Sequence, residues 1–580
     1  MNLLTSEKIH WKLRRSEQEP ADSLSSSLAI SPVVGRILLN RGIFSPDRTK
    51  KFLSPDFECL HDPFLFDDME KAVDRIAAAV DKKEKVVIYG DYDLDGIAGT
   101  ALYLELFKEL GHPAGYYIPH RLADGYGLHS ASIQALRAAG ATLMITSDCG
   151  TTSYSEISEA ARLGLDLIVT DHHQLEAIRP PAAAFLNPFD LQPVPYPFNG
   201  LSSAGMAFKV AQAVFKKMGI PAGRLRRLLD LVALGTIADV APLIDENRYL
   251  VKEGLIVIRE GMRLGVRALL QTAHLDSASV DPDAVRYHLA PRLNAAGRLY
   301  HAGEAVALLT TASWKEALAL AGRMDRYNQE RQALEAAVRE EADRQIATRY
   351  ASGSPSVIVV ASEGWHPGVV GIVAAQVAER HQCPAIAIAL SSDGIGKGSG
   401  RSARGLHLYR AVLDCSEHLE RFGGHAAAIG LTIDRKRIDL FRNALEKAVS
   451  EQVCSDEGLL IDAEVDLREI DFNFVKALRI LSPFGPSNPE PIFAVHHVRL
   501  GSFRRHRRFV QFKIRGEGGL TFDVSGPGYC FSDSALENEG TEIDLAFSPK
   551  IDLWQGEERI FLTLKGIRAS RGRGPSPASE

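Results

Sequence analysis

The chain has 580 residues and a formal net charge of −6; 45% of its residues are hydrophobic, 24% charged and 7% aromatic. This ordinary globular profile excludes collagenous, coiled-coil and wholly disordered classes, and the length suggests about three to four domains. The apolar runs fall short of the ~18 residues of a membrane span, and the net charge carries no global nucleic-acid signal.

The first 20 residues lack an apolar core of secretory type. Six cysteines stand far apart without a CxxC pair, so neither a zinc site nor a disulfide framework is expected. A cytoplasmic protein with no membrane contact follows as the expectation. Residues 1–80 carry helical patterning and are expected to pack on the domain after them. From Lys85, short apolar runs alternate with helical stretches: Val86–Tyr89, Ala114–Ile118, Ala141–Thr146 and Asp166–Thr170 predict strands, with helices between them. Such alternation indicates βαβ units, a mostly parallel sheet and a ligand site at the strands' carboxyl edge. Ser202–Leu270 reads as helical, and the domain is bounded at 81–305. Residues 306–351 predict one connector helix: from Thr311 to Ala351 there is no proline and only one glycine, Gly322. About 40 residues would span ~60 Å. Residues 352–450 read as a smaller α/β domain and 458–568 as a small all-β barrel or sandwich, with 569–580 a disordered tail. The fold class is therefore α/β: a parallel-sheet domain, a long connector helix, a smaller α/β domain and a C-terminal all-β domain.

Three predicted strands end in carboxylates. The first runs into Gly90-Asp91-Tyr92-Asp93-Leu94-Asp95-Gly96, the next into Ser147-Asp148-Cys149-Gly150, and the last into Asp171-His172-His173. Asp91, Asp93 and Asp95 repel one another unless a cation is present, and hard divalent ions prefer such oxygen ligands. Taken singly, the first segment also reads as a solvated, helix-capping turn, and the His-His pair as structural. An EF-hand is excluded because no bidentate glutamate follows at the twelfth position. Strand ends of one parallel sheet converge, so the three segments are expected to share a site. Asp239, in Gly235-Thr236-Ile237-Ala238-Asp239-Val240, is a fourth candidate on helical chain. A mixed Asp/His cluster suits two-metal phosphoester hydrolysis, in which one ion polarises the phosphoryl group and activates water while the other steadies the leaving oxygen.

Two small-residue segments mark the second lobe. Gly398-Ser399-Gly400-Arg401-Ser402 fits a dinucleotide-binding pattern loosely, but no long βαβ unit surrounds it. It reads as a loop that admits a phosphate closely, with Arg401 as a bidentate partner. Gly423-Gly424-His425 offers a similar approach; the alternative for both is a pair of tight turns. In Phe503-Arg504-Arg505-His506-Arg507-Arg508-Phe509-Val510-Gln511-Phe512-Lys513, arginines between phenylalanines suit backbone neutralisation and base stacking. The alternative is a strand core with a solvated hairpin. Arg224, Arg226 and Arg227 read as a solvated helix start.

The ordered runs GDYDLDG, SDCG, DHH and GTIADVAPL closely resemble the motifs of the DHH phosphoesterase superfamily. The likeness extends to Pro291–Arg298, to Gly364–Ile372, to Gly398–Ser402 and to Gly423–His425. Together, over about residues 80–500, they resemble the RecJ family of single-strand-specific DNA exonucleases. That resemblance implies a DHH domain, a DHHA1 domain that grips nucleic acid, and an OB fold. It implies two Mn²⁺ or Mg²⁺ ions held by Asp93, Asp95, Asp148, His172 and Asp239, with Asp91 and His173 close by. Asp148, His172 and His173 are the expected catalytic residues, with Arg298, Ser399, Arg401, Ser402, His425, Arg505 and Arg508 as nucleic-acid contacts. It further implies cleavage of single-stranded DNA from the 5′ end to mononucleotides, in repair and recombination, by a monomer working with a single-strand-binding protein and a helicase. The alternative is a DHH/DHHA1 phosphodiesterase acting on short oligonucleotides or cyclic dinucleotides. One departure stands out: many superfamily members have a histidine where this chain has Tyr89, and Asp91 is a candidate to replace that ligand.

Overall fold

The computed structural model of the chain describes residues 10–14, 18–175, 178–190, 192–351, 353, 355–403, 405–452, 458–506, 509–528, 538–554 and 556–570. The expected tail thus lies almost wholly outside the described residues. The chain forms two compact units. Unit one comprises residues 54–334 and 483–489; unit two comprises 1–53, 335–482 and 490–580.

Unit one is built on a five-stranded, all-parallel sheet. Its strands are β1 (Val86–Gly90), β2 (Gly115–Tyr117), β3 (Leu143–Ser147), β4 (Asp166–Thr170) and β5 (Ala184–Leu186), in the spatial order β2-β1-β3-β4-β5. β1 is buried along its whole length, as a strand covered on both faces must be. Val86 and Ile88 point into the larger apolar core, while Val87 and Tyr89 point into the smaller one on the opposite face. Helix α1 (Leu94–Glu109) follows β1. Helices α2 (Ser203–Met218), α3 (Leu229–Ala238) and α4 (Asp245–Glu260) complete the larger core. α3 is buried from Leu229 to Ile237 and apolar there apart from Asp230, which is paired with Arg263, and Thr236, the signature of a helix enclosed by others.

Gly254 lets α4 approach α3. A Cβ there would stand 2.2 Å from the Leu229 carbonyl oxygen and 2.6 Å from the Ala233 Cβ. Gly254→Ala should therefore destabilise unit one by about 1–3 kcal/mol, as overpacking of a dense core does, and a lowered urea midpoint is the check. The short segment Pro483–Pro489 belongs to this unit as well. Pro486 accepts the Leu243 N–H at 2.9 Å, and a Cβ on Gly485 would lie 2.7 Å from Leu243. Arg224, Arg226 and Arg227 carry carboxylate partners: Glu109 for the first and last, Glu253 and Glu260 for Arg226. They form an ion-paired patch rather than a purely solvated helix start.

α5 (Ala290–Leu299) also belongs to unit one. α6 (Trp314–Arg349) is one unbroken helix of 36 residues that contributes to both units; it is shorter than the expected 306–351, because a separate helix covers Gly303–Thr310 and the chain turns extended at Thr311. In unit two a five-stranded sheet carries β6 (Ile358–Glu363), β7 (Ala385–Leu390), β8 (Ile395–Arg401), β9 (Arg421–His425) and β10 (Ala428–Asp434), in the order β9-β10-β8-β7-β6. Only β6 and β7 pair in parallel. Helix α7 (Pro367–His381) packs on β7 and β8.

The C-terminal part of unit two is a barrel. Its strands are β11 (Ala463–Glu464), β12 (Phe493–Arg505), β13 (Phe509–Arg515), β14 (Thr521–Pro527), β15 (Glu542–Trp554) and β16 (Glu557–Ala569). They run in the order β11-β12-β13-β14-β16-β15, and a β12–β15 pairing closes the ring. The region is not purely β, since a helix covers Phe472–Leu478. The N-terminus joins this part: Trp11–Leu13 pairs in parallel with Leu459–Ile461, and Arg568 lies over the Trp11 ring at 4.2 Å. The stretch expected as one segment, 1–80, is thus divided. Its described residues up to Leu53 belong to unit two, because backbone pairing holds them there, and those from Ser54 belong to unit one.

Candidate metal centre and nucleic-acid interface

The carboxyl ends of β1, β3 and β4 lie side by side, because these strands are neighbours in the sheet. Asp91 and Asp93 follow β1. Asp95 lies in the first turn of α1, Asp148 follows β3, and Asp171, His172 and His173 follow β4. Asp239 sits at the carboxyl end of α3. Among the described residues, three overlapping groups bring their ligand atoms within 4.8 Å of one another: Asp91, Asp93 and Asp148; Asp95, His172 and Asp239; Asp148, His172 and His173. Asp148 and His172 are each shared by two groups.

Each side chain is held by backbone chemistry. Asp93 caps α1, its Oδ1 accepting the N–H groups of Asp95 and Gly96 at 3.0 and 3.3 Å. Asp95 is buried and accepts the N–H groups of Ser203 and Ala204, at 2.6 and 3.0 Å, at the start of α2. A helix N-terminus favours a negative charge. Gly235 makes room for this carboxylate: a Cβ there would stand 2.4 Å from Asp95 Oδ1. Asp148 has φ +69°, a left-handed conformation that aspartate tolerates better than most residues. Tyr126 Oη donates to the Asp148 carbonyl at 3.1 Å and pins that turn.

Asp171 is the residue that sequence reasoning placed at a strand end without giving it a role. It is buried and accepts the N–H groups of Thr151, His172 and His173, and the His173 ring Nδ1 at 2.7 Å. Burial alone would raise its pKa, but the hydrogen bond and charge of His173 pull it below the ordinary carboxylate range. In return His173 is raised to about 9: burial opposes the charged ring, and the bond to Asp171 outweighs it. His172 is held below its ordinary value by burial, as a neutral ring would be. Its Nε2 lies 3.1 Å from Asp148 Oδ1 and 3.6 Å from Asp95 Oδ2, and its Nδ1 lies 3.8 Å from Asp239 Oδ2.

The site fits divalent cations on its own chemistry. Burial first, and neighbouring carboxylates second, push Asp91 and Asp148 well above the ordinary range. Burial and the charges of Asp95 and Asp93 raise Asp239 to about 8. Asp91 Oδ1 is buried without a hydrogen-bond partner in the structure. Such a set is costly without positive charge to balance it. Tyr89, at the departing position, is fully buried, and its Oη donates to the Gly127 carbonyl at 3.2 Å. It therefore serves the smaller core, while Asp91 supplies the carboxylate of the group with Asp93 and Asp148.

In unit two the register joins the two small-residue segments. Ala428 pairs with both His425 and Arg401, and Gly430 with both Gly423 and Ser399. His425, Arg401 and Ser399 thus share one sheet face, with His425 and Arg401 about 10 Å apart across the sheet at ~4.8 Å per strand. Both segments lie in strands, not in the expected loops. The cause is packing: Cβ atoms on Gly396, Gly398 and Gly400 would come within 2.6–2.8 Å of Ile388, Leu431 and Ile429 on the opposite face. Arg401 Nη1 donates to Ser399 Oγ at 2.9 Å and to the Gly400 carbonyl at 2.8 Å. Ser402 follows β8 and gives its hydroxyl to the Leu406 carbonyl.

Arg298 is carried by α5 of unit one. On the barrel, Arg505 lies over the Phe503 ring at 5.9 Å. Phe512 is buried, whereas Phe509 is 40% exposed and stacks on His506 at 4.3 Å. The aromatic run is thus part core and part surface. Arg508 lies outside the described residues.

Comparison with known proteins matches each region. Residues 85–236 fit the family model "DHH family, N-terminal domain", 354–451 the "DHHA1 domain", and 461–566 the "RecJ OB domain". The chain is 34% identical to the single-stranded-DNA-specific exonuclease RecJ of Bacillus subtilis (strain 168), a match covering 98% of this chain and 72% of that protein. It is 33% identical to the protein of the same name from Escherichia coli (strain K12), over 97% of this chain and 99% of that one.

The chain belongs to the RecJ family. A crystal structure of RecJ in complex with Mn²⁺ from Thermus thermophilus superposes with a TM-score of 0.82 at 27% identity, over 98% of this chain and 81% of that one. A Mg²⁺ complex of the same RecJ gives 0.78 at 26% identity, over 98% of this chain and 79% of that one. The expected fold class holds throughout, and among the described residues no helix is long and apolar enough to cross a membrane.

Proposed function

We propose that this RecJ-family chain is a metal-dependent exonuclease that hydrolyses single-stranded DNA from its 5′ end to mononucleotides. The observation that carries this reading is the set of overlapping carboxylate and imidazole groups at one sheet edge, in a chain that carries the family's three domains. Asp91, Asp93, Asp148, Asp95, His172 and Asp239 would hold two ions, Mn²⁺ or Mg²⁺, and His173 stands beside them. When bound, such ions supply Lewis acidity toward the scissile phosphodiester and make water a competent nucleophile near neutral pH.

The rest is done by the chain. Asp171 fixes the His173 ring with its proton on Nδ1. Asp93 and Asp95 are fixed by helix N-termini, so the ligand set is formed before substrate arrives. No side-chain nucleophile is required. Ser399, Arg401, Ser402 and His425, with Arg298, Arg505 and Arg508, would hold phosphates and fix the strand's register. Arg401 is suited to this because its guanidinium is already oriented by Ser399 and the Gly400 carbonyl. A single-strand-binding protein and a helicase as partners, a monomeric state and a cytoplasmic location complete the proposal.

The alternative, a phosphodiesterase of short oligonucleotides or cyclic dinucleotides, is disfavoured by the barrel with its exposed Phe509 and arginines, which suits longer strands. The test is release of mononucleotides from a long single strand, the matching duplex and a dinucleotide, with Mn²⁺ or a chelator. Single strands labelled at the 5′ end should lose label first, and the duplex and chelated samples should persist. Equal attack on duplex, or action confined to the dinucleotide, would overturn the reading.

A further inference from the structure

The loop that carries Asp91, Asp93 and Asp95 is closed from a distant element. The first turn of α1 has free N–H groups, like every helix start. Asp93 satisfies those of Asp95 and Gly96 with its side chain and that of Ile97 with its carbonyl. The remaining one, Leu94 N–H, donates to Asn294 Oδ1 at 2.8 Å, across 200 residues of sequence. Asn294 is half-buried on α5. One turn further along the same helix, Gly297 allows contact with the loop backbone: a Cβ there would stand 2.2 Å from the Tyr92 carbonyl oxygen. α5 therefore touches the loop at two adjacent points, Tyr92 and Leu94, and these bracket Asp93. Within the loop, Gly96 packs as closely on the other side, its absent Cβ 2.7 Å from both the N and the O of Asp91.

We infer that Asn294 and Gly297 are positioning residues for the metal centre, fixing the Asp91–Asp95 loop in its ligand-bearing conformation through the Leu94 N–H and the Tyr92 carbonyl. Asn294 suits the place because it offers an acceptor without adding another negative charge beside three carboxylates. If it did not accept, Leu94 N–H would be left without this partner next to a cap that Asp93 must share between metal and helix. The turn that carries Asp93 would then lose one of its two anchors to α5. The inference rests on the metal-dependent reading above. Loss of a partner that orients a metal ligand typically lowers metal affinity 10–100-fold, and that is the scale of the expected effect.

The test is Mn²⁺ binding by calorimetry on the full chain, together with amide hydrogen exchange over residues 90–97. Asn294→Leu keeps the size and removes the acceptor. It should bind Mn²⁺ about 10-fold or more weakly, with faster exchange at 93–96 and unchanged exchange in β3 and β4. The Mn²⁺ concentration for half-maximal nuclease rate should rise by the same factor. Asn294→Asp, which restores an acceptor at the same reach, should return exchange at Leu94 toward wild type. Gly297→Ala should reproduce the weakened binding by pushing on Tyr92. Wild-type Mn²⁺ affinity and loop protection in Asn294→Leu would overturn the inference alone. A wild-type chain that binds no Mn²⁺ would instead overturn the metal-dependent reading on which it rests. Should Asn294→Leu fail to fold, Gly297→Ala decides the matter by the same two measurements.

Discussion

Asp148→Ala should abolish nuclease activity while the metal-free protein stays folded. Asp148 is shared by two of the three ligand groups because β3, the strand that carries it, lies between β1 and β4. A carboxylate that belongs to two ligand groups would not be replaced by its neighbours, so the loss should exceed the ~10–100-fold typical of a partner that only orients a ligand. Stability should move the other way. Burial and the charges of Asp93, Asp95 and Asp91 raise the Asp148 pKa well above its ordinary value. The fold therefore holds a proton that the unfolded chain releases, and metal-free stability falls as pH rises above the ordinary carboxylate range. Removing the group should flatten that fall. Alanine carries a cost of its own at φ +69°, about 1–2 kcal/mol for a residue that resists left-handed backbone. Asp148→Asn avoids this cost and isolates the charge. Thermal melts with chelator and with Mn²⁺ provide the check: the wild type should gain stability with Mn²⁺ by mass action, and both variants should gain far less. Wild-type turnover in Asp148→Asn would remove Asp148 from the centre.

Lys209→Met should destabilise unit one by about 3–5 kcal/mol, the usual cost of stranding one member of a buried ion pair. Lys209 and Glu246 are both fully buried, 2.8 Å apart. Burial holds the Lys209 pKa below its ordinary value despite Glu246. Lys209 also donates to the His61 carbonyl at 2.5 Å, and Glu246 accepts the His61 N–H at 2.9 Å and Tyr196 Oη at 2.6 Å. With the lysine gone, the carboxylate keeps two neutral donors and loses its counter-charge. Lys209→Met combined with Glu246→Leu should recover much of the loss, because a well-packed apolar pair is often as stable as the ions it replaces. Urea midpoints of the single and double variants measure this directly. A double variant no better than the single would show that Glu246 acts through His61 and Tyr196 alone.

Much of the metal centre was legible in the sequence, because a parallel sheet imposes its geometry on chain order. Asp91, Asp148 and His172 lie far apart in sequence, yet strand–helix alternation alone puts them on one edge. The companions were less legible. Asp171 reads as one more strand-end acid until its oxygens are seen to collect three backbone N–H groups and the His173 ring. Asn294 acts across 200 residues and leaves no local periodicity. Gly398 and Gly400 mislead for a physical reason: glycine usually signals a turn, but here isoleucines and leucines of neighbouring strands fill the space that side chains would occupy. Tyr89, where many superfamily members have a histidine, is understood only once its hydroxyl is seen on Gly127.

The strand Trp11–Leu13 sets a timetable for the chain's own synthesis. Its partner begins at Leu459, and the nearby Asn40 side chain donates to Asp462 across 422 residues. At the ~5–20 residues per second of translation, this strand emerges roughly 20–90 s before its docking site exists. During that interval Trp11 lacks both its strand partner and the Arg568 side chain that covers its ring. Residues 11–13 are thus made long before they are secured, and they wait for their partner longer than any segment of the parallel-sheet unit does.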